Sequence, residues 1–293
     1  MLRTKTILLT IILFVGLTAF KSDKPSHQLY KASGKNIKFK KLIKEAAQAD
    51  IILFGELHNN PIAHWMQYEI VKEMYAEKGK QIVLGAEMFE ADNQTIIDEY
   101  LGGLIKQKDF EKEARLWTNY QTDYKPLFEF AKDSSLKFIA TNIPRRYAAL
   151  VHKQGFEGLE KLSATAKQWV APLPIAYDPE LPGYKKMANM MKKMGRGKMA
   201  NNNLPKAQAS KDATMAHFIL ENWEQGKQFI HFNGSYHSDN FEAIGWYLKQ
   251  VNPELKIITI STVEQDEVGD LENEYKNIAD FIIAVDSDMT KTY

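Results

Sequence analysis

Short apolar segments alternate with longer segments of mixed polarity along most of the chain. Six of the apolar segments have the length and the β-branched or aromatic content of buried strands. They span residues 51–54, 81–85, 136–141, 228–233, 256–262 and 281–285. Several of the intervening segments carry apolar residues near a 3.6-residue period, which is typical of amphipathic helices. Strands mostly separated by helices predict an α/β fold with a largely parallel central sheet flanked by helices.

Residues 148–206 interrupt this alternation and predict a helical and loop insertion. Four prolines within residues 172–182 favour loop structure. A helical segment follows, in which methionines recur at positions i, i+3, i+4 and i+7, namely Met187, Met190, Met191 and Met194. The stretch from Lys185 to Lys198 contains six positive residues and no acid. We expect this insertion to lie over the carboxyl edge of the sheet.

Two interpretations of the methionine-rich helix stay open. In the first, it is an amphipathic insertion whose methionines simply pack on the body of the protein. In the second, it is a basic, adaptable lid for a flat apolar anion. Methionine repacks easily around a ligand, and the neighbouring lysines favour carboxylate groups.

The beginning of the sequence has the pattern of an export signal. Two basic residues precede an apolar run that ends at Phe20 and is too short for a comfortable membrane span. We expect residues 1–20 to be a cleaved signal peptide and the product to be exported to the periplasm. The alternative is an uncleaved membrane anchor. Residues 21–36 are polar and predict a linker, followed by one α/β domain at 37–293.

Composition and charge exclude several classes of protein. A hydrophobic content of 44% is enough to fill a core, whereas 26% charged residues argue against a polytopic membrane protein. A formal net charge of +1 gives no electrostatic footprint for nucleic acid, so no nucleic-acid partner is expected. The sequence contains no cysteine. It therefore has no disulfide, no thiolate metal site and no cysteine on which a bacterial lipid anchor is built.

Residues with catalytic or metal-binding chemistry follow four of the predicted strands. Gly55-Glu56-Leu57-His58 and Gly234-Ser235-Tyr236-His237 share one pattern, in which a histidine follows a glycine by three positions. Glu87 follows the second strand, and Arg145 and Arg146 follow the third. Parallel strands direct all four exits to the same edge of the sheet, where α/β proteins build their sites. We therefore expect these side chains to share one cleft.

The histidines and carboxylates support three interpretations. His58, Glu87 and His237 are suitable ligands for a divalent transition metal. Together with Glu56, the same groups form a catalytic set for general acid–base hydrolysis by water. The third interpretation is a polar pocket without chemistry.

Two further features mark the ends of these strands. Arg145 and Arg146 suit an anionic ligand or one of the glutamates, or they only make a helix start soluble. Asn60 and Pro61, directly after the first motif, predict a helix with Asn60 as its N-cap and Pro61 at its first position.

The order and spacing of the motifs resemble the ChaN family, the haem-binding uptake proteins within the Tiki and erythromycin-esterase superfamily. The resemblance covers about residues 35–285. It is carried by Gly55-Glu56-Leu57-His58, Gly85-Ala86-Glu87-Met88-Phe89-Glu90, the stretch from Trp117 to Leu127, Thr141-Asn142-Ile143-Pro144-Arg145 and Gly234-Ser235-Tyr236-His237. It implies an α/β fold with a helical insertion.

The resemblance also implies an exported protein that binds haem and serves haem or iron uptake with outer-membrane machinery. It implies a tyrosine as the iron ligand, for which Tyr177 and Tyr184 in the insertion are the candidates, and haems that meet at a homodimer interface. The methionines of the insertion, Met187, Met190, Met191 and Met194, would then cover the porphyrin. Because the lipoprotein cysteine of the family is missing, lipid anchoring is in doubt.

A hydrolase is the alternative that the same resemblance implies. The Tiki relatives are metal-dependent proteases that use paired Gly-x-x-His motifs, and the erythromycin-esterase relatives are hydrolases that use histidine and glutamate. The intact pair of histidines favours this alternative, whereas the methionine-rich insertion favours haem binding.

Overall fold

The computed structural model describes residues 24–193 and 203–293. Seven strands in this part of the chain form one sheet. They are β1 (His27–Lys31), β2 (Ile51–Glu56), β3 (Ile82–Glu90), β4 (Lys137–Asn142), β5 (Gln228–Gly234), β6 (Ile257–Gln265) and β7 (Phe281–Asp286). Their order across the sheet is β1-β7-β6-β2-β5-β3-β4, and β1 alone pairs in the antiparallel sense. The predicted α/β fold with a largely parallel sheet is confirmed, because all six predicted strands are present.

Helices pack on both faces of the sheet and connect most of its parallel strands. They are α1 (Phe39–Ala46), α2 (Pro61–Lys78), α3 (Gln94–Leu101), α4 (Gln107–Glu113), α5 (Lys125–Asp133), α6 (Arg145–Gln154), α7 (Glu157–Glu160), α8 (Ala164–Lys167), α9 (Pro182–Lys193), α10 (Leu204–Asn222) and α11 (Ile244–Val251). Among the residues described, no helix has the length and apolar character needed to cross a membrane.

Helix α2 begins where the sequence predicts. The side-chain oxygen of Asn60 accepts hydrogen bonds from the backbone N–H groups of Ile62 and Ala63, at 3.0 and 3.1 Å. Pro61 occupies the first helical position, where a missing N–H costs nothing. A cap of this kind stabilises a helix by about 1 kcal/mol. It also fixes the chain directly after the first Gly-x-x-His motif.

The core consists of two apolar layers, one on each face of the sheet. Alternation along β2 shows the division: Ile52 and Phe54 pack in one layer, Ile51 and Leu53 in the other. All four are fully buried, because β2 lies in the middle of the sheet. Each such side chain contributes roughly 1.5–3 kcal/mol when it is removed from water. The carboxyl end of this buried strand, β2, carries the first motif, Gly55 to His58.

Part of the predicted linker at residues 21–36 is a strand. His27–Lys31 forms β1, an edge strand that pairs with β7 and buries Leu29 and Tyr30. Its local sequence is polar and short, so only the pairing with a strand more than 250 positions away along the chain makes it a strand. The predicted signal peptide lies outside the described residues.

The insertion at 148–206 is helical with loops between its helices, and α9 is its longest described helix. Met187 and Met190 of α9 line a cavity at the carboxyl ends of the parallel strands. This places α9 over that edge of the sheet, beside α10. Met194 and the side chain of Met191 lie outside the described residues.

Candidate functional site

A cavity of about 820 Å³ opens at the carboxyl edge of the sheet. Glu56, His58, Glu87, His237 and Arg145 all line it. They meet there because β2, β5 and β3 are neighbours in the sheet and run parallel. The volume is within the range of small-molecule and cofactor sites.

The first motif places His58 on a buried carboxylate. Oε1 of Glu56 accepts hydrogen bonds from His58 Nδ1 at 2.8 Å and from the Tyr124 hydroxyl at 2.7 Å, while Oε2 accepts one from Gln67 Nε2 at 2.6 Å. Burial opposes the charge of Glu56, but the hydrogen bond from His58 and the charge of His64 hold the pKa of Glu56 below its usual value. Burial likewise opposes protonation of His58, and the bond to Glu56 nevertheless raises its pKa.

A second set of polar groups supports the first motif from behind. Asn119 Nδ2 donates to the backbone oxygen of His58 at 2.9 Å and to Asp123 Oδ2 at 2.6 Å. The Thr292 hydroxyl donates to the same Asp123 oxygen at 2.7 Å. Asp123 lies in a π-helical turn, Tyr120–Tyr124, that also supplies the tyrosine bonded to Glu56. The backbone carbonyl of His58 is therefore held by Asn119, which Asp123 in turn orients.

The second motif places His237 between two carboxylates. Its Nε2 lies 3.1 Å from Glu87 Oε1, and its Nδ1 makes a short hydrogen bond to Asp212 Oδ1. Burial lowers the pKa of His237, but the charges of Glu87 and Asp212 outweigh burial and raise it to about 9. Burial works against the charge of Glu87 too, yet the charge of His237 holds the pKa of Glu87 far below its usual value. His237 is therefore an imidazolium at neutral pH.

Glycine at position 234 lets the two motifs approach each other. A Cβ atom there would lie 2.8 Å from both Cε1 and Nε2 of His58, so any side chain would displace the imidazole. The backbone N–H of Gly234 donates to Glu87 Oε2 at 2.9 Å. Lys211 Nζ lies 3.9 Å from the other oxygen of Glu87. Glu87 is thus at the centre of the site, next to both motifs.

The hypothesis that His58, Glu87 and His237 bind a divalent metal receives no support from this geometry. The described part of the chain contains no group of three His, Asp or Glu side chains arranged to hold a metal ion. A metal-bound imidazole must be neutral and needs a free nitrogen. Both nitrogens of His237 face carboxylates, which keep the ring protonated.

The two tyrosines predicted as iron ligands lie outside the cavity lining. Tyr184 is 3% exposed, and its hydroxyl donates to Asp212 Oδ2 at 2.7 Å. The ring of Tyr177 packs on that of Tyr184, with their centroids 5.6 Å apart. The Tyr184 hydroxyl is therefore committed to the carboxylate that holds His237.

Of the two arginines predicted to bind an anion, the structure places one in the cavity. Arg145 lines it. Arg146 pairs with Asp92 at 2.6 Å, and its guanidinium lies over the ring of Tyr147 at 4.5 Å. Arg146 is thus occupied by its own neighbours.

Sequence reasoning missed Asp212, the fully buried partner of His237 and Tyr184. A signal was present in the sequence: Asp212 stands among the small apolar residues Ala209, Ala213 and Ala216 of α10. An acid on an apolar helix face requires a buried partner.

The fold and the site define an α/β protein with two Gly-x-x-His motifs at the carboxyl ends of neighbouring parallel strands. The family described as haem-binding uptake, Tiki superfamily, ChaN matches residues 42–248, well over half of the chain. The chain belongs to this family, as its motifs predict.

The chain is similar to several solved structures, of which the first shares the fold. ChaN of Campylobacter jejuni, in a structure of cofacial haem binding, is 16% identical with a TM-score of 0.65, and the match covers 88% of this chain and 96% of that one. A protein from Bacillus cereus is 14% identical with a TM-score of 0.48, covering 86% and 80%. A mutant of erythromycin esterase EreC in its open conformation is 10% identical with a TM-score of 0.46, covering 89% and 83%. No curated protein matches the sequence.

Proposed function

We propose that this protein binds haem in the cavity at the carboxyl edge of the sheet. The observation that carries the proposal is a cavity of about 820 Å³ lined by apolar side chains and by basic as well as acidic groups, in a chain that belongs to a haem-binding family. Haem is a flat apolar disc with two carboxylate groups, so it requires the apolar and the basic groups.

The residues at the cavity fit these two requirements. Apolar contacts come from Trp117, Leu204 and the two methionines of α9, Met187 and Met190. Methionine adapts its shape to a flat ligand at little cost. Positive groups come from the side chains of Arg145, Lys186 and Lys211, all of which line the cavity. Arginine and lysine at such positions would pair with the two haem carboxylates.

Tyr236 replaces Tyr177 and Tyr184 as our candidate for the iron ligand. It lines the cavity and is 61% exposed, and its hydroxyl makes no hydrogen bond to the described residues. A tyrosine is one of the axial ligands that proteins use for haem iron. The histidines are less available as iron ligands. Both ring nitrogens of His237 contact carboxylates, and Nδ1 of His58 is hydrogen-bonded to Glu56.

Titration with haemin, followed by absorbance, tests this function. The wild-type protein should give a saturable Soret shift. Tyr236→Phe should change the spectrum and weaken binding by about tenfold or more. Tyr177→Phe, which removes a phenol outside the cavity, is the matched control and should behave like the wild type. Absence of a saturable shift in the wild type would overturn the proposal, and a wild-type spectrum in Tyr236→Phe would overturn the ligand.

We further propose that the protein acts in haem or iron uptake in the periplasm, as a homodimer in contact with outer-membrane machinery. Support comes from the apolar N-terminal segment and from the uptake role in the family's description. Mass spectrometry of protein from the native host should find an N-terminus near residues 20–23. Analytical ultracentrifugation with and without haemin measures the oligomeric state and should find a homodimer. An intact Met1 on cytosolic material, or a monomer in both conditions, would contradict these points.

A metal-independent hydrolase is the second candidate, and one observation favours it. His237 contacts Glu87, and both His58 and Glu87 adjoin Gly234. Each histidine is bonded to a further buried acid. His58 Nε2 has no hydrogen bond to the described residues, so it would accept a proton from water while the His237 imidazolium donates hydrogen bonds. Hydrolysis of p-nitrophenyl acetate by the wild type and by His58→Gln tests this. Equal rates of hydrolysis by the wild type and His58→Gln would overturn the hydrolase proposal.

A further inference from the structure

Residues 287–293, which follow β7, lie against the first Gly-x-x-His motif and are called the strap below. The strap runs from the end of β7 past the end of β6 to the residues that follow β2. Its polar contacts to this region come from Lys291 and Thr292. Neither proposed function assigns a role to the strap.

Lys291 attaches the strap to the start of α2 through one carboxylate. Its ammonium group pairs with Oε1 of Glu264 on β6. The same oxygen accepts a hydrogen bond from Nδ2 of Asn60 at 3.1 Å. Asn60 is fully buried, and its other side-chain atom, Oδ1, caps α2. The ion pair therefore helps to hold the residue at which the loop after the first motif ends.

Thr292 holds the same loop by two hydrogen bonds. Its backbone N–H donates to the carbonyl of Asn59 at 3.0 Å, and its hydroxyl donates to Oδ2 of Asp123 at 2.7 Å. That oxygen of Asp123 also accepts a hydrogen bond from Asn119, which donates in turn to the carbonyl of His58. Thr292 is therefore connected to His58 through two buried side chains, and to the next residue of the loop directly.

The stretch that contains Asp123 also contacts the side chain of His58. The ring of Trp117 lies edge-on to the imidazole of His58, with the two centroids 4.9 Å apart. The Tyr124 hydroxyl donates to Glu56, the carboxylate to which Nδ1 of His58 is bonded. Asp123 and Tyr124 belong to one π-helical turn, and such turns occur frequently at functional sites. A shift of Asp123 would therefore reach both the ring and the backbone of His58.

The strap is attached mainly by polar contacts near the surface. Of its residues, Met289 packs against the core and is partly buried. The side chains of Lys291 and Glu264 are each 30% exposed, and Tyr293 is 64% exposed. Segments with few buried apolar contacts open locally while the rest of a fold stays intact. Release of the strap should therefore free His58 without unfolding the sheet.

We propose that Lys291 and Thr292 are positioning residues for His58, and that the strap fixes the orientation of its imidazole at the cavity. Thr292 acts through the two buried side chains that lead to the His58 carbonyl, and Lys291 acts through the cap of α2. When the strap is released, the imidazole loses its fixed orientation toward Glu56. This role rests on the cavity being the functional site, whichever of the two proposed functions the cavity performs.

Solution NMR of the full chain with ¹³C-labelled histidine tests the proposal without any ligand. The wild type should give one sharp ring signal for His58. Thr292→Val removes the hydroxyl that donates to Asp123, so it should shift and broaden this signal. Lys291→Gln breaks the ion pair of the strap and should change the signal in the same way. Thr292→Ser keeps the hydroxyl and should restore the wild-type signal.

Thr290→Val is the matched control, because it removes an exposed hydroxyl from the same strap. It should leave the His58 signal unchanged. A wild-type His58 signal in Thr292→Val, or an equal change in Thr290→Val, would overturn the proposal.

Haemin titration of the same variants extends the test to function. A mobile imidazole disturbs the wall of the cavity, so Thr292→Val should bind haemin about threefold or more weakly than the wild type. Thr292→Ser and Thr290→Val should bind haemin like the wild type. An unchanged haemin affinity in Thr292→Val would also overturn the proposal. If the wild type binds no haemin, the haem proposal fails instead, and the NMR comparison by itself decides the role of the strap.

Discussion

His237 and its two carboxylates are the most strongly coupled group of residues in the site. The ring donates one N–H to Asp212 and the other to Glu87, and all three side chains are at most 5% exposed. A buried charge is costly unless it is paired and hydrogen-bonded. Here one imidazolium compensates two acids, with help from Lys211 at 3.9 Å from Glu87. Removal of His237 would therefore leave two buried acids with only Lys211 nearby. Removal of Asp212 or Glu87, by contrast, leaves the imidazolium paired with one acid.

Replacing the missed aspartate tests this reasoning. Asp212→Asn should destabilise the fold by about 1.5–3 kcal/mol, because it weakens the hydrogen bonds that the carboxylate accepts from His237 and Tyr184. It should also lower the pKa of His237 from about 9, because one of the two carboxylates that raise it is gone. Urea denaturation and the NMR titration of the His237 ring measure the two effects.

Asp133→Asn is the matched control for that substitution. Asp133 is exposed at the end of α5, so its loss should change stability by less than about 0.5 kcal/mol. If the free energy of unfolding of Asp212→Asn is close to that of Asp133→Asn, the ion pair between Asp212 and His237 contributes nothing to stability.

At the scale of elements, α9 is connected to the site from two sides. It places Met187 and Met190 at the cavity. It also sends the Tyr184 hydroxyl to Asp212, the residue that holds His237. The position of the insertion and the hydrogen bonds of His237 are therefore linked through one buried carboxylate.

Comparing Tyr184→Phe with Tyr177→Phe measures how much the hydrogen bond from Tyr184 to Asp212 contributes to stability. Tyr184→Phe leaves Asp212 Oδ2 without its donor and should cost about 1–3 kcal/mol. Among the residues that the structure describes, Tyr177 makes only ring contacts, so Tyr177→Phe should cost less than about 0.5 kcal/mol. Chemical denaturation compares the two.

Both variants should keep the wild-type haemin spectrum, because neither phenol lines the cavity. A changed spectrum in either variant would restore that tyrosine as the candidate iron ligand.

For the whole molecule, the raised pKa of His237 predicts a loss of stability in alkaline solution. The folded-state pKa is about 9 and the ordinary value is 6.5, so the folded protein binds this proton more tightly than the unfolded chain. The resulting stabilisation, about 3 kcal/mol, is complete below pH 6.5 and is lost as pH rises through 9. The urea midpoint should therefore fall between these two pH values.

Two measurements separate His237 from other groups that titrate in this range. His237→Gln should flatten the alkaline part of the profile, whereas His217→Gln, at a half-buried position on α10, should leave it unchanged. If His237→Gln does not fold, the ring protons of His237 in the wild type report the same pKa directly. A titration near 6.5 would contradict the prediction.

The sequence by itself determined six of the seven described strands, the largely parallel sheet, the family and the start of α2. These features depend on local patterns: apolar runs of strand length, and an Asn-Pro pair that caps a helix. It also indicated which residues follow the strand ends, and parallel strands bring Glu56, His58, Glu87 and His237 to one edge. Their chemical roles stay predictions.

Only the tertiary structure decided the partners of these residues. Asp212 meets His237 across 25 positions of sequence, and Tyr184 meets Asp212 across 28, because α9 and α10 pack over the sheet edge. The same packing removes the Tyr184 hydroxyl from the cavity and leaves Tyr236 exposed in it. Strand β1 exists for the same reason: its polar sequence predicts a linker, and pairing with β7 makes it a strand. Hydrogen bonds between distant side chains depend on how elements pack, which no local pattern encodes.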